Sequence, residues 1–392
     1  EGNGQGFAIR FKKVLDAHFS TWHAITLNTP IRWLEDDALE PWFFRFLLLD
    51  ANLNDTQYPT HQARKSDWIS QQTLFENEML FEQLISLLVT AHYQTSPSDI
   101  RLILDHPSIK ILISYRAHTH KDDAEANFYT VCGVCLVIAE GGLLEDKLVN
   151  DIISGNRRPR GHLFPQALCA SSAREEFLAQ RTYRIMRIAV HPSLQQKGIG
   201  SGLLTKLKEN AKKEHIDSLS TSYGLSAELL SFWHKNKFLA VKLGSKIDGS
   251  SGLQSIMMMQ AISTPAQQLL NIHSRDFINA FVFNLNRLHQ DLATNLVSMI
   301  IPTLQAASLL PKQPSNFIKI HAFAHALRPF EETHLELFEW LIGCISSPNW
   351  LNLSEDKKEL LISQVLQNRD YRSCLKHSKL TGKKQLLTAL RQ

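Results

Sequence analysis

The feature that most constrains this chain is the stretch QQKGIG at residues 195–200. It follows the strand-like segment RIAVHPSL and precedes SGLLTKLKENAKK, whose apolar residues recur at helical spacing. Glycines let the main chain approach a ligand closely, and the N-terminus of a helix attracts anions. The order of strand, glycine loop and helix therefore predicts a loop that binds a phosphate group.

The glycine spacing separates two kinds of phosphate-bearing cofactor. A dinucleotide-binding loop needs G-x-G-x-x-G after the first strand of a βαβ unit, and an acidic residue about 20 positions later. Gly198, Gly200 and Gly202 instead form G-x-G-x-G, and Asp217 precedes its predicted strand rather than ending it. The pattern Q-x-K-G-x-G after R-I-A-V-H-P is similar to the acetyl-CoA loop of GNAT acetyltransferases. A tight turn without a ligand remains the structural alternative.

The order of predicted elements indicates the fold class. With 392 residues, 44% of them hydrophobic and 20% charged, the chain has the composition of a soluble protein of two or three domains. Residues 66–265 predict helices, a strand pair, a strand, the glycine loop, a helix, a strand, a helix and two strands. This order is that of a GNAT-fold mixed sheet with flanking helices, an α/β arrangement. The end of another α/β unit precedes it, and only helical patterns follow it.

The cysteines and histidines give no metal-binding pattern. The five cysteines are odd in number and widely spaced, which argues against a disulfide framework and for a reducing compartment. Cys132 and Cys135 form C-x-x-C inside the apolar run FYTVCGVCLVIA, so we expect buried core thiols. His321 and His325 have i, i+4 spacing but no evident third ligand. We therefore expect no metal.

One long segment without charged residues is a candidate for a membrane span. Residues 292–310 contain no charge, but they include several polar residues and Pro302. We expect a buried helix pair broken at Pro302 rather than a span. The chain shows no signal peptide and opens without Met, so we expect a segment of a longer, cytoplasmic protein.

Several motifs narrow the resemblance further. PIRWLEDDALEPW, LLVTAHYQTSPSDI, GNRRPRGHLFPQAL, RIAVHPSLQQKGIG and STSYGLSAELLSFWHKNKF occur in this order. Together they resemble the bacterial tRNA(Met) cytidine acetyltransferase family, from residue 1 to about residue 265 and more weakly beyond. The resemblance implies the end of a RecA-like helicase or ATPase lobe at 1–65, a GNAT domain at 66–265 and a helical tRNA-binding tail at 266–392.

The resemblance also implies an activity. The family transfers acetyl from acetyl-CoA to the N4 amine of the wobble cytidine of elongator tRNA(Met), forming N4-acetylcytidine, with ATP hydrolysis by its helicase-like module. The Walker A pattern G-x-x-x-x-G-K-[ST] does not occur in this chain. An ATP site would therefore need an upstream lobe, to which Arg32 would add a nucleotide contact.

Cofactor contacts follow from the resemblance, motif by motif. The main chain of Ile188, Ala189 and Val190 would bind the pantetheine arm like an added strand. Two further residues, Glu228 and Lys235, match additional acetyl-CoA contacts. The residues that would surround the pyrophosphate are Gln195, Gln196, Lys197, Gly198, Ile199, Gly200 and Ser201.

The residues that would carry the chemistry are less defined. His162 and His191 are candidate general bases, water is an equal alternative, and an N–H near Val190 is a candidate oxyanion donor. The segment NRRPRGH concentrates positive charge around a proline, so Arg157, Arg158 and Arg160 are candidate RNA phosphate contacts.

We expect tRNA as the partner, with no DNA and no membrane, and a monomeric enzyme. Two alternatives stay open. The chain could be a GNAT enzyme that acts on a protein or small-molecule amine, or a non-catalytic RNA-binding fragment. The arginine-rich segment favours RNA over an amine in an acidic acceptor site, and the intact glycine loop argues against a loss of acetyl-CoA binding.

Overall fold

The computed structural model describes residues 64–91, 97–118, 128–249, 251–304, 314–345, 347–376 and 380–392, with scattered positions before residue 47. These residues form two compact units. Unit 1 comprises 1–140 and 183–214, and unit 2 comprises 141–182 and 215–392. Arg32 and residues 305–313 lie outside the described residues. The domain boundaries at 65 and 265 stay predictions.

Seven strands form a mixed sheet with the order β1-β2-β3-β4-β5-β7-β6. The pairs β1–β2, β2–β3, β5–β7 and β6–β7 are antiparallel. This sheet and its helices confirm the predicted α/β class. The strands are β1 (Lys65–Ile69), β2 (Ile109–His118), β3 (Phe128–Gly141), β4 (Arg181–Val190), β5 (Ser218–Gly224), β6 (Leu239–Ile247) and β7 (Gln254–Ala261).

The helices flank the sheet and continue beyond it as the predicted helical tail. Up to the end of the sheet they are α1 (Leu39–Phe46), α2 (Gln71–Glu76), α3 (Glu78–Ala91), α4 (Pro97–Asp105), α5 (Asp146–Ile153), α6 (Leu163–Ser172), α7 (Glu176–Ala179), α8 (Ile199–Lys213) and α9 (Ala227–Lys235). The tail contains α10 (Thr264–Phe283), α11 (Thr294–Leu304), α12 (Phe317–Ala324), α13 (His334–Cys344), α14 (Pro348–Leu351), α15 (Glu355–Leu361), α16 (Tyr371–Lys376) and α17 (Lys383–Arg391).

The core of unit 1 follows the period of its strands. Alternate residues of β2 and β3, such as Ile111, Ile113 and Val134, are buried in one cluster with Leu84 and Leu88 of α3. Burying each such side chain contributes roughly 1.5–3 kcal/mol. One face of β2 and β3 is therefore covered by α3.

Helix α8 packs tightly against β3 and β4. A Cβ atom on Gly133 of β3 would lie 3.1 Å from the Ala189 carbonyl oxygen and 3.1 Å from Cγ2 of Ile199. A side chain at this position would therefore force the start of α8 or the strands to move by a few tenths of an ångström, so glycine favours this close approach. Leu203 and Leu207 of α8 are fully buried. The position of the glycine loop is thus set by core packing.

The other end of α8 is anchored by a polar cluster. Glu214 ends the helix and accepts hydrogen bonds from Lys110 of β2, Tyr183 of β4 and Asn210. Burial raises the pKa of Glu214, but these hydrogen bonds lower it by more, so its pKa lies below the ordinary value. The carboxylate form therefore holds α8 to two strands.

In unit 2, Asp217 lies directly before β5 and connects several elements by hydrogen bonds. Its carboxylate accepts hydrogen bonds from the Arg181 N–H (2.9 Å) and the Ser263 hydroxyl (2.7 Å). Its carbonyl oxygen accepts from the N–H groups of Ile262 and Ser263. Asp217 therefore ties the starts of β4, β5 and α10 together, a structural role that agrees with the rejection of a dinucleotide site.

The predicted break at Pro302 is wrong. Helix α11 runs through Pro302 and ends at Leu304. The proline removes one hydrogen bond of the helix, because it has no N–H to donate to the Ser298 carbonyl oxygen. Val297, Ile300 and Ile301 are fully buried, so packing keeps this segment helical. No described helix is both long and apolar enough to cross a membrane.

Replacing Glu214 by Gln tests the anchor of α8. Because the folded-state pKa of Glu214 is lowered, its carboxylate stabilises the fold above the ordinary value of 4.5, and this stabilisation is lost as the pH falls. We expect Glu214→Gln to lower the free energy of unfolding, measured with urea, more at pH 7 than at pH 3. Glu209→Gln, at an exposed position of α8, is the matched control and should have little effect at either pH. Equal effects of the two variants would contradict the anchoring role.

Candidate functional site

The glycine loop connects β4 to α8 through a single turn of 3₁₀ helix at Pro192–Leu194. The N–H of His191 donates to the Cys132 carbonyl oxygen of β3 at 3.0 Å, which fixes the end of β4. Residues 195–198 are all exposed. The loop is therefore anchored at its start and open to solvent along its length.

Two residues of the loop have a left-handed backbone conformation. Gly198 has a φ of +79° and Gln196 a φ of +60°. An added Cβ on Gly198 would meet no heavy atom within 4 Å, so glycine is favoured there by backbone conformation and not by lack of space. Holding Gln196 left-handed costs of order 1 kcal/mol. Such strain is common at ligand-binding turns.

The first turn of α8 has no side-chain cap. Gly198 is the N-cap residue and cannot cap the helix, because it has no side chain. The N–H groups at the start of a helix lack partners within the helix, and the helix dipole makes this end positive. Ile199, Gly200 and Ser201 therefore offer donors to an anion. The regular hydrogen-bond pattern of the helix begins at Gly202, whose N–H donates to the Gly198 carbonyl oxygen.

Side chains of the loop fold back onto its own backbone. The Gln195 amide donates to the Val190 carbonyl oxygen at 3.2 Å, and Lys197 Nζ donates to the Ser193 carbonyl oxygen at 2.9 Å. Lys197 is exposed, so its charge remains available beside the turn. Along the end of β4, Ala189 is buried while Ile188 and Val190 are half-buried.

Both candidate bases form hydrogen bonds through Nδ1 to neighbouring parts of the fold. His191 is buried and its Nδ1 contacts the hydroxyl of Ser193 (2.9 Å) and the N–H of the same residue. His162, at the start of α6 in unit 2, accepts the Gly141 N–H at Nδ1 (3.0 Å). A neutral ring that accepts at Nδ1 carries its proton on Nε2, which can then only donate. This tautomer makes each ring a donor at its other nitrogen.

The remaining predicted cofactor residues lie on α9, in unit 2. Ser226 caps this helix by accepting the Leu229 N–H. Glu228 and Lys235 are exposed and seven residues apart, so they project from the same side of α9. Their charges also complement the dipole at the two ends of the helix. Their cofactor role stays a prediction.

The three candidate RNA contacts lie on an exposed loop of unit 2, between α5 and α6. Arg157, Arg158 and Arg160 are all exposed. The loop is closed on one side by the N–H of Arg157, which donates to the Asp151 carbonyl oxygen. On the other side the Gln166 amide donates to the carbonyl oxygen of Pro159. The arginines therefore project from a fixed turn.

The C-x-x-C cysteines are core thiols, as expected. Cys132 and Cys135 are fully buried in β3, and all five cysteines are free. Burial raises the pKa of the Cys135 thiol to about 12, so it stays protonated and inert.

Sequence reasoning missed Tyr223, at the end of β5. Its hydroxyl contacts only the weak acceptor Sδ of Met258 (2.9 Å) among the described residues, and burial raises its pKa well above the usual value. Tyr223 therefore keeps its proton. The motif STSYG contains it, but no spacing pattern singles it out.

Comparison with known families gives the class of protein. Residues 83–212 and 201–263 match the family model GNAT acetyltransferase 2, and residues 1–50 match the helicase domain of RNA cytidine acetyltransferase NAT10/TcmA. The sheet, the glycine loop and this match define a GNAT acetyltransferase domain.

The relatives make the assignment more specific. A tRNA(Met) cytidine acetyltransferase TmcA from Nitrosococcus halophilus is 32% identical over 397 residues, covering 100% of this chain and 52% of the relative. The TmcA protein of Vibrio cholerae is 32% identical over 394 residues with the same coverage. The chain is thus a homologue of the TmcA tRNA(Met) cytidine acetyltransferases, and it spans about half the length of these relatives.

A solved structure shows a more distant similarity. The ribosomal-protein-S18-alanine N-acetyltransferase of Escherichia coli is 13% identical, with 52% of this chain and 96% of that chain covered and a TM-score of 0.32.

Replacing Gly198 by Ala tests the loop. A left-handed alanine costs roughly 1–2 kcal/mol, so we expect the dissociation constant for acetyl-CoA, measured by calorimetry, to rise about tenfold. Gly202→Ala is the matched control: its Cβ also meets no atom within 4 Å, but it lies in regular helix, where alanine is favoured. We expect unchanged affinity there. Unchanged affinity in Gly198→Ala would show that the loop conformation does not serve acetyl-CoA.

Proposed function

We propose that this chain supplies the acetyl-transfer part of an enzyme that moves acetyl from acetyl-CoA to the N4 amine of the wobble cytidine of elongator tRNA(Met). The product would be N4-acetylcytidine. The observation that carries this proposal is the alignment of the whole chain with TmcA relatives at 32% identity, together with the intact, uncapped glycine loop.

Acetyl-CoA fits the residues of the loop. Its pyrophosphate is an anion, and the first turn of α8 offers N–H donors without a competing cap. The pantetheine arm carries amides that can pair with the main chain of Ile188, Ala189 and Val190 as an added strand. Residues 195–201 would then surround the pyrophosphate, with Lys197 adding positive charge.

The reaction needs positioning more than a strong base. The N4 amine of cytidine is conjugated with its ring and is a poor nucleophile, so the thioester carbonyl must be polarised and the amine aimed at it. An N–H near Val190 would stabilise the oxyanion. When the amine attacks, the N–C bond forms, the C–S bond of the thioester breaks, and CoA leaves as the thiolate.

Water is the better acceptor for the proton that the amine loses. His162 and His191 accept backbone N–H groups at Nδ1, an arrangement that places the proton of a neutral ring on Nε2, where it cannot take up a second one. The thiolate of CoA would be protonated in turn by water. This assignment requires no titratable base beside the loop.

RNA binding would use the positive segment of unit 2. The target cytidine lies in a single-stranded anticodon loop, so its base can be presented without opening a duplex. Arg157, Arg158 and Arg160 would contact phosphates, and the helical tail would contribute further contacts. We further propose a cytoplasmic, monomeric enzyme whose partner is tRNA and that uses neither DNA nor a membrane.

We propose a role for ATP only together with residues outside this chain. The helicase model matches residues 1–50, which include Arg32. No Walker A motif occurs in the sequence to bind the phosphates of ATP. A complete ATP site would therefore have to combine Arg32 with residues that this chain does not contain.

A direct assay tests the proposal. The chain is incubated with labelled acetyl-CoA and unmodified elongator tRNA(Met), with and without ATP, and the nucleosides are identified by mass after nuclease digestion. We expect N4-acetylcytidine, and none with Gly198→Glu, whose side chain adds a negative charge to the loop. A transcript with uridine at the wobble position has no exocyclic amine and is the matched negative control.

Other outcomes of this assay have distinct meanings. Product that appears only when the chain is supplemented with a TmcA helicase portion would show that RNA delivery depends on that portion. No product in either case, although acetyl-CoA binds, would contradict the tRNA proposal and favour another amine as acceptor.

A further inference from the structure

Helix α6 of unit 2 holds two positively charged elements next to each other. The Gln166 amide donates to the Pro159 carbonyl oxygen and so fixes the arginine loop. The carbonyl oxygen of the next residue, Ala167, accepts a hydrogen bond of 3.0 Å from Nζ of Lys242 on β6. Consecutive residues of α6 thus bring Lys242 and the loop that carries Arg158 to one place.

Lys242 is a cation in an unfavourable environment. It is half-buried, and burial together with the nearby positive charge of Arg158 lowers the pKa of Lys242. Neither Lys242 nor Arg158 forms an ion pair with a carboxylate of the described residues. Arg174, another cation of unit 2, differs because it pairs with Asp276 at 2.9 Å.

Two cations that approach each other without a carboxylate destabilise the free protein, and a bound anion would relieve that repulsion. Lys242 has three N–H donors, of which the Ala167 carbonyl uses one. The guanidinium of Arg158 can bind a phosphate with two parallel hydrogen bonds, while the ammonium group contributes a point charge. The pair is therefore suited to one phosphate group.

We propose that Lys242 acts with Arg158 to bind a single phosphate of the RNA backbone, as a positioning residue that sequence motifs do not reveal. This inference rests on the proposed function. CoA also carries phosphates, but the glycine loop already provides for its pyrophosphate, whereas the exposed arginines beside Lys242 suit a chain of successive phosphates.

Salt dependence of tRNA binding tests the inference. Each phosphate contact adds close to one unit to the slope of log K against log salt concentration. We expect Lys242→Gln to raise the dissociation constant for tRNA three- to tenfold and to reduce this slope by less than one, because Arg158 still contacts the phosphate, with acetyl-CoA affinity unchanged. Glutamine keeps an N–H donor for the Ala167 carbonyl oxygen, which limits the effect on folding.

The matched control is Lys246→Gln, an exposed lysine on the same strand. It removes the same charge, but from a position with no described hydrogen bond, so the slope should stay near that of the unsubstituted chain. Arg158→Gln, on the exposed loop, gives the second arm. Because both groups would bind one phosphate, the double variant should lose less than the sum of the two single losses.

The outcomes separate this inference from the proposed function. A chain that binds and acetylates tRNA, but whose slope is unchanged in Lys242→Gln, would overturn the inference alone. A rise in the dissociation constant for acetyl-CoA instead would assign the phosphate to CoA and also overturn it. A chain that neither binds nor acetylates tRNA would overturn both.

Discussion

The close approach of α8 to β3 and β4 is the constraint on which the candidate site depends. Gly133 permits it, since any side chain there would lie 3.1 Å from the Ala189 carbonyl oxygen and from Ile199. Because packing fixes the start of the helix, no capping side chain is needed there. The N–H donors of Ile199, Gly200 and Ser201 are thereby kept available at a defined position.

The same helix is held at its far end by charge. Glu214 accepts hydrogen bonds from Lys110 and Tyr183, which come from two strands. A rigid element that is fixed at both ends places its first turn more accurately than a loop alone would. In unit 2, α6 plays a comparable part, because it fixes both the arginine loop and Lys242.

Local patterns predicted much of this arrangement. The order of strand, glycine loop and helix and the burial of Cys132 and Cys135 each follow from a few adjacent residues. The contacts of Glu214 do not, because Lys110 lies 104 positions away and Tyr183 lies 31 positions away. Strand β1 escaped prediction because KSDWI has little apolar pattern, and Pro302 was misjudged because buried neighbours outweigh its effect on the helix.

Hydrogen exchange of the loop with and without acetyl-CoA tests the central claim most directly. The amides of Ile199, Gly200 and Ser201 lack partners within the helix and should exchange rapidly in the free chain. The account predicts that acetyl-CoA slows exchange in peptides that cover residues 190–203, and that Gly198→Ala weakens this protection. Binding of acetyl-CoA without any protection of these peptides would contradict the claim that the first turn of α8 holds the pyrophosphate.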